Sequence, residues 1–353
     1  MQNTISGRIK NIQALRGVAV LLVVFFHMVT IEKKYGGTNT LLPDYFQYGM
    51  FGVDLFFVIS GFVMVTVTRA KFQQPRQAVT FLYHRISRIY PLYWFYSLLV
   101  LAVFFIEPSF VNSSQFGQIN ILASFLILPQ QHLPLLMVGW TLVHEMYFYL
   151  VFFLLLFLPE KHLVKGIGLW TAIILFLQLY ITPHTSPVLR LLAHPLTIEF
   201  IGGCLLALYT RQTKKLVSAP FFLLSALFLF VASILSYILY WQITGHVEPL
   251  GWWRILIMGI PAILIIFFLV RAEQKNVVLP GLLGKIGNAS YSIYLSHVLT
   301  LSLIGRIWAE FSSDSTADNW FALPFMLLSV VAVGYISYVT VERPMIAASR
   351  KIA

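Results

Sequence analysis

The chain has 353 residues, of which 59% are hydrophobic and 10% charged, and its mean hydropathy is +0.82. A soluble domain carries about 25% charged residues, so this composition excludes an ordinary globular enzyme; 30 Phe, 17 Tyr and 8 Trp exclude intrinsic disorder as well. One cysteine, Cys204, allows neither an intrachain disulfide nor a thiolate cluster, and the net charge of +11 has to be read from its distribution before it suggests a nucleic-acid partner.

Crossing a hydrocarbon core takes about 20 mostly apolar residues. Ten runs of that kind follow one another, at about 12–31, 50–68, 89–106, 136–158, 166–182, 190–209, 220–241, 252–270, 289–309 and 320–341. The apolar stretch 117–129 is too short to span and is expected to be interfacial or re-entrant. The sequence therefore predicts an all-α polytopic fold forming a single integral-membrane domain over 1–353, with no fused soluble domain and no cleavable signal.

Assigning loops to alternate sides collects 19 of the 24 Lys and Arg on one side. The other side holds only Lys33, Lys34, Arg190, Arg254 and Arg306, together with Glu32, Asp44, Glu107, Glu248, Glu310, Asp314 and Asp318. Cytoplasmic loops hold the basic excess, so both termini are expected in the cytoplasm. The charge reports topology, and no nucleic-acid partner is expected.

Ionisable groups at depth in a bilayer are expensive, and each is a candidate for function. Arg16 and His27 share the first span and lie 11 residues apart, close to three turns, so they project from one face about 16 Å apart. Arg16 could equally snorkel to lipid phosphate, and His27 could be a satisfied core group or a general base. Asp54, among aromatics in the second span, needs a cation or histidine on a neighbouring helix; pairing with Arg16 is as compatible as catalysis. Arg85 and Arg88 share a helical face at the cytoplasmic interface and suit either a lipid anchor or a polyphosphate clamp. Trp140, His144 and Glu145 open the fourth span, where Glu145 could orient a histidine. Glu199 precedes a Gly pair suited to close helix approach, and a structural pairing with Arg190 or Arg211 is its simplest role. Metal-ligand spacing, a P-loop, a G-x-S-x-G elbow and a dinucleotide fingerprint are all absent from the sequence, so no metal is expected.

Seven segments in order, "IQALRGVAVLLVVFFH" (12–27), "GVDLFFVISGF" (52–62), "RISRIYPLY" (85–93), "WTLVHEMYFY" (140–149), "EFIGG" (199–203), "GNASYSIYLSH" (287–297) and "VERP" (341–344), resemble the successive motifs of the membrane-bound acyltransferase-3 family. The resemblance runs over nearly the whole chain. It implies a protein of the bacterial inner membrane that moves an acyl group, usually acetyl, from cytoplasmic acyl-CoA to a hydroxyl of a cell-envelope or exported glycan. Exopolysaccharide or lipopolysaccharide units are the implied acceptors, free or lipid-linked.

The family's residues fall on Arg16 and His27, on Arg85 and Arg88, and on Glu145. The resemblance thus implies catalysis by His27 with Glu145, to which Asp54 is added as a candidate from its depth in the second span, and acyl-CoA binding by Arg16, Arg85 and Arg88. Trp140, His144, Glu199, Tyr291 and His297 are expected in the acceptor site or helix network. Acyl-CoA is the expected donor co-substrate, with its pantetheine arm reaching up between helices toward His27. The rival readings are a glycan transporter or flippase, for which the lack of a duplicated half speaks poorly, a non-catalytic scaffold, and acylation of a small-molecule acceptor.

Overall fold

The computed structural model describes residues 9–351 except 39, 113, 114, 116, 117, 183, 213–218, 248, 250 and 313–315. Arg8, Lys214, Lys215, Glu248 and Asp314, all used above to read topology, lie outside the described residues, as does position 117 of the short apolar stretch.

All elements among the described residues are helical: α1 (Lys10–Tyr35), α2 (Phe51–Val67), α3 (Pro75–Ile106), α4 (Ile121–Phe125), α5 (Gly139–Leu155), α6 (Leu163–Gln178), α7 (Pro187–Leu192), α8 (Thr197–Gln212) and α9 (Ala219–Thr244). Then α10 (Trp252–Arg254) passes through a π-helical turn (Ile255–Gly259) into α11 (Ile260–Glu273), followed by α12 (Gly281–Asn288), α13 (Ser290–Phe311), and α14 (Thr316–Ser337) running through a second π-helical turn (Tyr338–Glu342) into α15 (Arg343–Ser349).

Each of the ten expected runs carries a helix, and seven helical stretches among the described residues are long and apolar enough to cross a membrane. The other three expected spans differ for separate reasons. The 17-residue α5 is apolar but short, α6 has 16 residues, and the 22-residue α13 is long enough but carries four Ser together with His297, Arg306 and Glu310.

The brevity of α5 follows from its start. Gly139 packs on the ring of Tyr93, near the middle of the 32-residue α3, so α5 begins at mid-depth. The preceding chain dips to the same level. Tyr93 Oη, Tyr90 Oη and Trp94 Nε1, all on α3, donate to the carbonyls of Ser124, Leu126 and Phe125 at 2.7, 2.9 and 2.8 Å. These bonds satisfy the C-terminal carbonyls of the five-residue α4. The 117–129 stretch, as far as it is described, is thus a re-entrant segment.

Small residues set the closest helix crossings. A Cβ on Gly61 would collide with the carbonyl oxygen of Phe200, and one on Gly203 with that of Val58, so α2 and α8 meet backbone to backbone. Outer faces are the reverse of a soluble protein's: on α14, Phe321, Phe325 and Leu328 are 79%, 61% and 69% exposed. Spaced four and three apart, they form one stripe that lipid tails would wet. The buried side of α9 instead carries Ser233, whose hydroxyl donates to the Ile257 carbonyl released by the first π-helical turn.

Replacing Gly203 with Leu should push α8 off α2 at a cost of about 1–3 kcal/mol or more, read as a lowered melting temperature and loss of the monodisperse peak in detergent. Gly168→Ala, where a Cβ meets nothing within 4 Å, should leave both unchanged.

Candidate active site

A cavity of about 800 Å³ opens between α1, α2, α3, α5 and α13. Its mouth, at Ile9, Arg69 and Ala70, is at the end of the molecule that carries the basic excess. Arg16, Arg85 and Arg88 all line it, from α1 and α3, with Glu145 and Tyr149 from α5 and Ser290 and Tyr291 from α13. Three guanidinium groups on one apolar-walled recess have the chemistry to hold an anion with several charges.

Each arginine is held differently. Arg16 Nη2 donates to Ser290 Oγ at 3.0 Å. The Arg85 guanidinium stacks against the rings of Phe81 and Tyr149, 5.4 and 5.7 Å from their centroids, and its buried Nε makes no hydrogen bond. Stacking fixes the plane of the fork while leaving donors to meet a ligand. Tyr291 does not act on the cavity with its hydroxyl, which donates to the Ile89 carbonyl at 2.8 Å and ties α13 to α3.

Glu145 accepts from the Tyr149 hydroxyl and from Ser60 Oγ. It belongs to the cavity wall beside the arginines, and the expected contact with His27 does not form. The orientation of α5 explains this: starting at mid-depth, it brings Glu145 level with Ser60 near the basic end of α2, below His27.

The far end of the cavity is closed. Val53, Phe56 and Phe57 from the first turns of α2, Thr141 and Leu142 from the start of α5, and Tyr294 from α13 line it there. Tyr294 Oη and Thr141 Oγ1 are 2.8 Å apart and both reach the Val138 carbonyl. Neither His27 nor His297 lines the cavity; the His297 ring lies 5.6 Å from that of Tyr294, one turn further along α13. His27 Nδ1 contacts the Val23 carbonyl at 2.9 Å and His297 Nε2 at 3.2 Å. The neighbour of His27 is therefore a second histidine, and the expected open path up to His27 ends at the Tyr294–Thr141 bridge.

Asp54, wholly buried, pairs with Arg254 and not with Arg16. The guanidinium forks onto the carboxylate, Nε to Oδ1 and Nη2 to Oδ2, both at 2.9 Å. Glu199 lies against this pair with neither oxygen accepting a hydrogen bond, so its suggested pairing with Arg190 or Arg211 does not occur. Arg190 instead donates to Gln131, and Arg211 to the Val65 carbonyl. His144, with its ring 4.5 Å from that of His194 and 5.8 Å from Trp140, completes a second buried polar cluster separate from the cavity.

The sequence motifs contained Ser60, Tyr149, Ser290 and Tyr294, but nothing in a hydroxyl's chemistry singles it out until its neighbours are known. Arg254 and His194 lacked even that signal, since each stands near a span end where a polar residue is ordinary.

The family model described as an acyltransferase domain matches residues 9–339. The chain belongs to the acyltransferase-3 family. It is a membrane-embedded acyltransferase. The exopolysaccharide production protein ExoZ of Rhizobium meliloti (strain 1021) is 29% identical over 319 residues, covering 87% of this chain and 92% of the relative. Acyltransferase MdmB of Streptomyces mycarofaciens is 26% identical over 375 residues, with 96% and 91% covered, and the putative acetyltransferase ORF330 of Acidianus two-tailed virus is 26% identical over 307 residues, with 84% of each covered. No solved structure matches the chain.

Breaking one side of the Asp54–Arg254 fork leaves a buried charge without its counterpart, so Asp54→Asn should cost about 3–5 kcal/mol. Thermal unfolding in detergent should show that loss, with much of it recovered in the Asp54→Leu/Arg254→Met double variant. A fully stable Asp54→Asn that has lost turnover would instead make Asp54 part of the chemistry.

Proposed function

We propose that this acyltransferase moves a short acyl group, acetyl first, from cytoplasmic acyl-CoA to a hydroxyl of a cell-envelope or exported glycan, in the inner membrane of a bacterium. The observation that carries the reading is the convergence of Arg16, Arg85 and Arg88 on a deep apolar cavity that ends one helical turn short of a histidine pair. CoA has several phosphates on one end and a thin arm with the thioester on the other. The arginines take the phosphates, and the apolar walls take the arm. The bulky deep wall of Phe56, Phe57 and Tyr294 limits the acyl chain to a few carbons.

Basic loops stay cytoplasmic, so the mouth of the cavity and both termini face the compartment where acyl-CoA is made. The exopolysaccharide production named for the Rhizobium relative supports an exopolysaccharide unit as acceptor. His27 takes the proton of the acceptor hydroxyl, whose oxygen attacks the thioester carbonyl. The tetrahedral intermediate collapses, the carbon–sulfur bond breaks, and the thiolate recovers the proton from His27 to leave as CoA. Rotation of Tyr294 away from Thr141 joins the donor cavity to the His27 side, and closure of that bridge keeps water, the competing nucleophile, from the thioester.

Purified protein given acetyl-CoA and the glycan should release CoA in proportion to glycan acylated. Lys at Arg85 and Arg88 keeps the charge but loses the fork, so the apparent KM for acyl-CoA should rise while insertion and abundance stay normal; unchanged acyl-CoA binding would return both residues to a lipid-anchoring role. His27→Ala should retain acyl-CoA binding and lose roughly 10²–10⁴-fold in turnover. Near-normal turnover in the folded variant would remove His27 from the mechanism.

A further inference from the structure

Both rings of the histidine pair are fixed by a backbone carbonyl of their own helix. His27 Nδ1 faces the Val23 carbonyl at 2.9 Å, and His297 Nδ1 faces that of Tyr294 at 2.6 Å. A carbonyl only accepts, so each Nδ1 carries the proton when its ring is neutral. His297 Nε2 is then a bare lone pair, and it lies 3.2 Å from His27 Nδ1. The rings meet edge-on at 72° with centroids 4.7 Å apart, so the shared proton approaches the His297 lone pair off its axis.

The opposite polarity fails at both ends. If His297 Nε2 donated, a neutral His297 would turn a bare Nδ1 toward the Tyr294 carbonyl, and His27 would turn a bare Nδ1 toward that of Val23. Each would set two lone pairs against each other within hydrogen-bond distance. With Nδ1 of His27 protonated, its Nε2 is the bare nitrogen, and among the described residues that nitrogen has no hydrogen-bond partner.

We infer that His297 is the positioning residue of His27: its Nε2 shares the His27 Nδ1–H with the Val23 carbonyl, holds the ring with Nε2 bare for the acceptor's proton, and supports the imidazolium formed on proton transfer. This deepens the assignment of His27 as base and rests on it. His297 fills the place that Glu145 was expected to fill. It is wholly buried, and as a neutral acceptor it orients the base without a fixed negative charge at a depth where an unpaired carboxylate would be expensive.

The test uses the full-length protein in detergent, as wild type, His297→Gln and His297→Phe, with kcat and KM for acetyl-CoA measured beside the ¹⁵N resonances of the His27 ring. Assignment of those resonances comes from their loss in His27→Gln. Wild type should show a protonated Nδ1 and a bare Nε2 on His27. Phe removes the second acceptor and leaves the Nδ1–H to the Val23 carbonyl alone, which already takes the backbone N–H of His27. That variant should keep Nδ1 protonated with a shifted Nδ1 resonance and lose roughly 10²-fold in kcat with KM unchanged.

Gln, whose side-chain carbonyl reaches the position of Nε2, should restore most of the loss. A protonated Nε2 on His27 in wild type overturns the inference, and this reading needs no variant to fold. Wild-type kcat in His297→Phe, or equal loss in Gln and Phe with the His27 resonances unchanged, overturns it too. Failure of the base assignment is separate: His27→Ala would then keep its turnover, whatever the tautomer of the wild-type ring.

Discussion

Two carboxylates pin helix α1 along its axis. At one end Glu273, from the end of α11, accepts from the backbone amides of Lys10 and Asn11 at 2.8 and 2.7 Å, and the side chain of Asn11 bonds the carbonyls of Leu269 and Val277 and the amide of Leu279. At the other, the buried Glu32 accepts from the amides of Leu41 and Leu42 and from Asn319. The first contact places an anion on the orphan amides of a helix N-terminus. The second ties the far end to the loop that follows it and to α14. Between them α1 cannot slide, so the depths of Arg16 and His27 are set together: one level with Ser290, the other level with His297.

The remaining polar groups are organised around that fixed rod. α13 runs beside α1 and repeats its vertical order, with Ser290 against Arg16, then Tyr294, then His297 against His27. The Tyr294–Thr141 bridge falls between the two levels and divides the arginine-lined recess from the histidine pair. In a medium without water every buried donor and acceptor must find its partner inside the protein, and short spacings along neighbouring helices are the cheapest way to do so. The Asp54–Arg254 fork follows the same rule on the far side of α2.

The re-entrant chain before α5 matters for the site more than its length suggests. By bonding three carbonyls to mid-α3 it starts α5 at mid-depth, and that displacement lowers Glu145 onto the cavity wall. A full-length span over 136–158 would have carried Glu145 at another height and facing other neighbours. The contacts of Glu145 with Tyr149 and Ser60 are thus a consequence of where a loop is tied, several residues away.

The sequence by itself determined the membrane class, the positions of the helices and the family, because apolar run length and ordered motifs are local or additive properties. It also made Arg16, Arg85 and Arg88 a plausible group, since a helix period and a shared interface are readable from spacing. Which side chain meets which was decided only by the tertiary structure. Asp54 found Arg254, 200 residues away, and His27 found His297, 270 residues away. Nothing in the spacing along one helix reports the rotation and depth of another. In a bilayer those are fixed by close-packed glycines, a mid-depth helix start and carboxylates at the two ends of α1, all of which act between segments far apart in the chain.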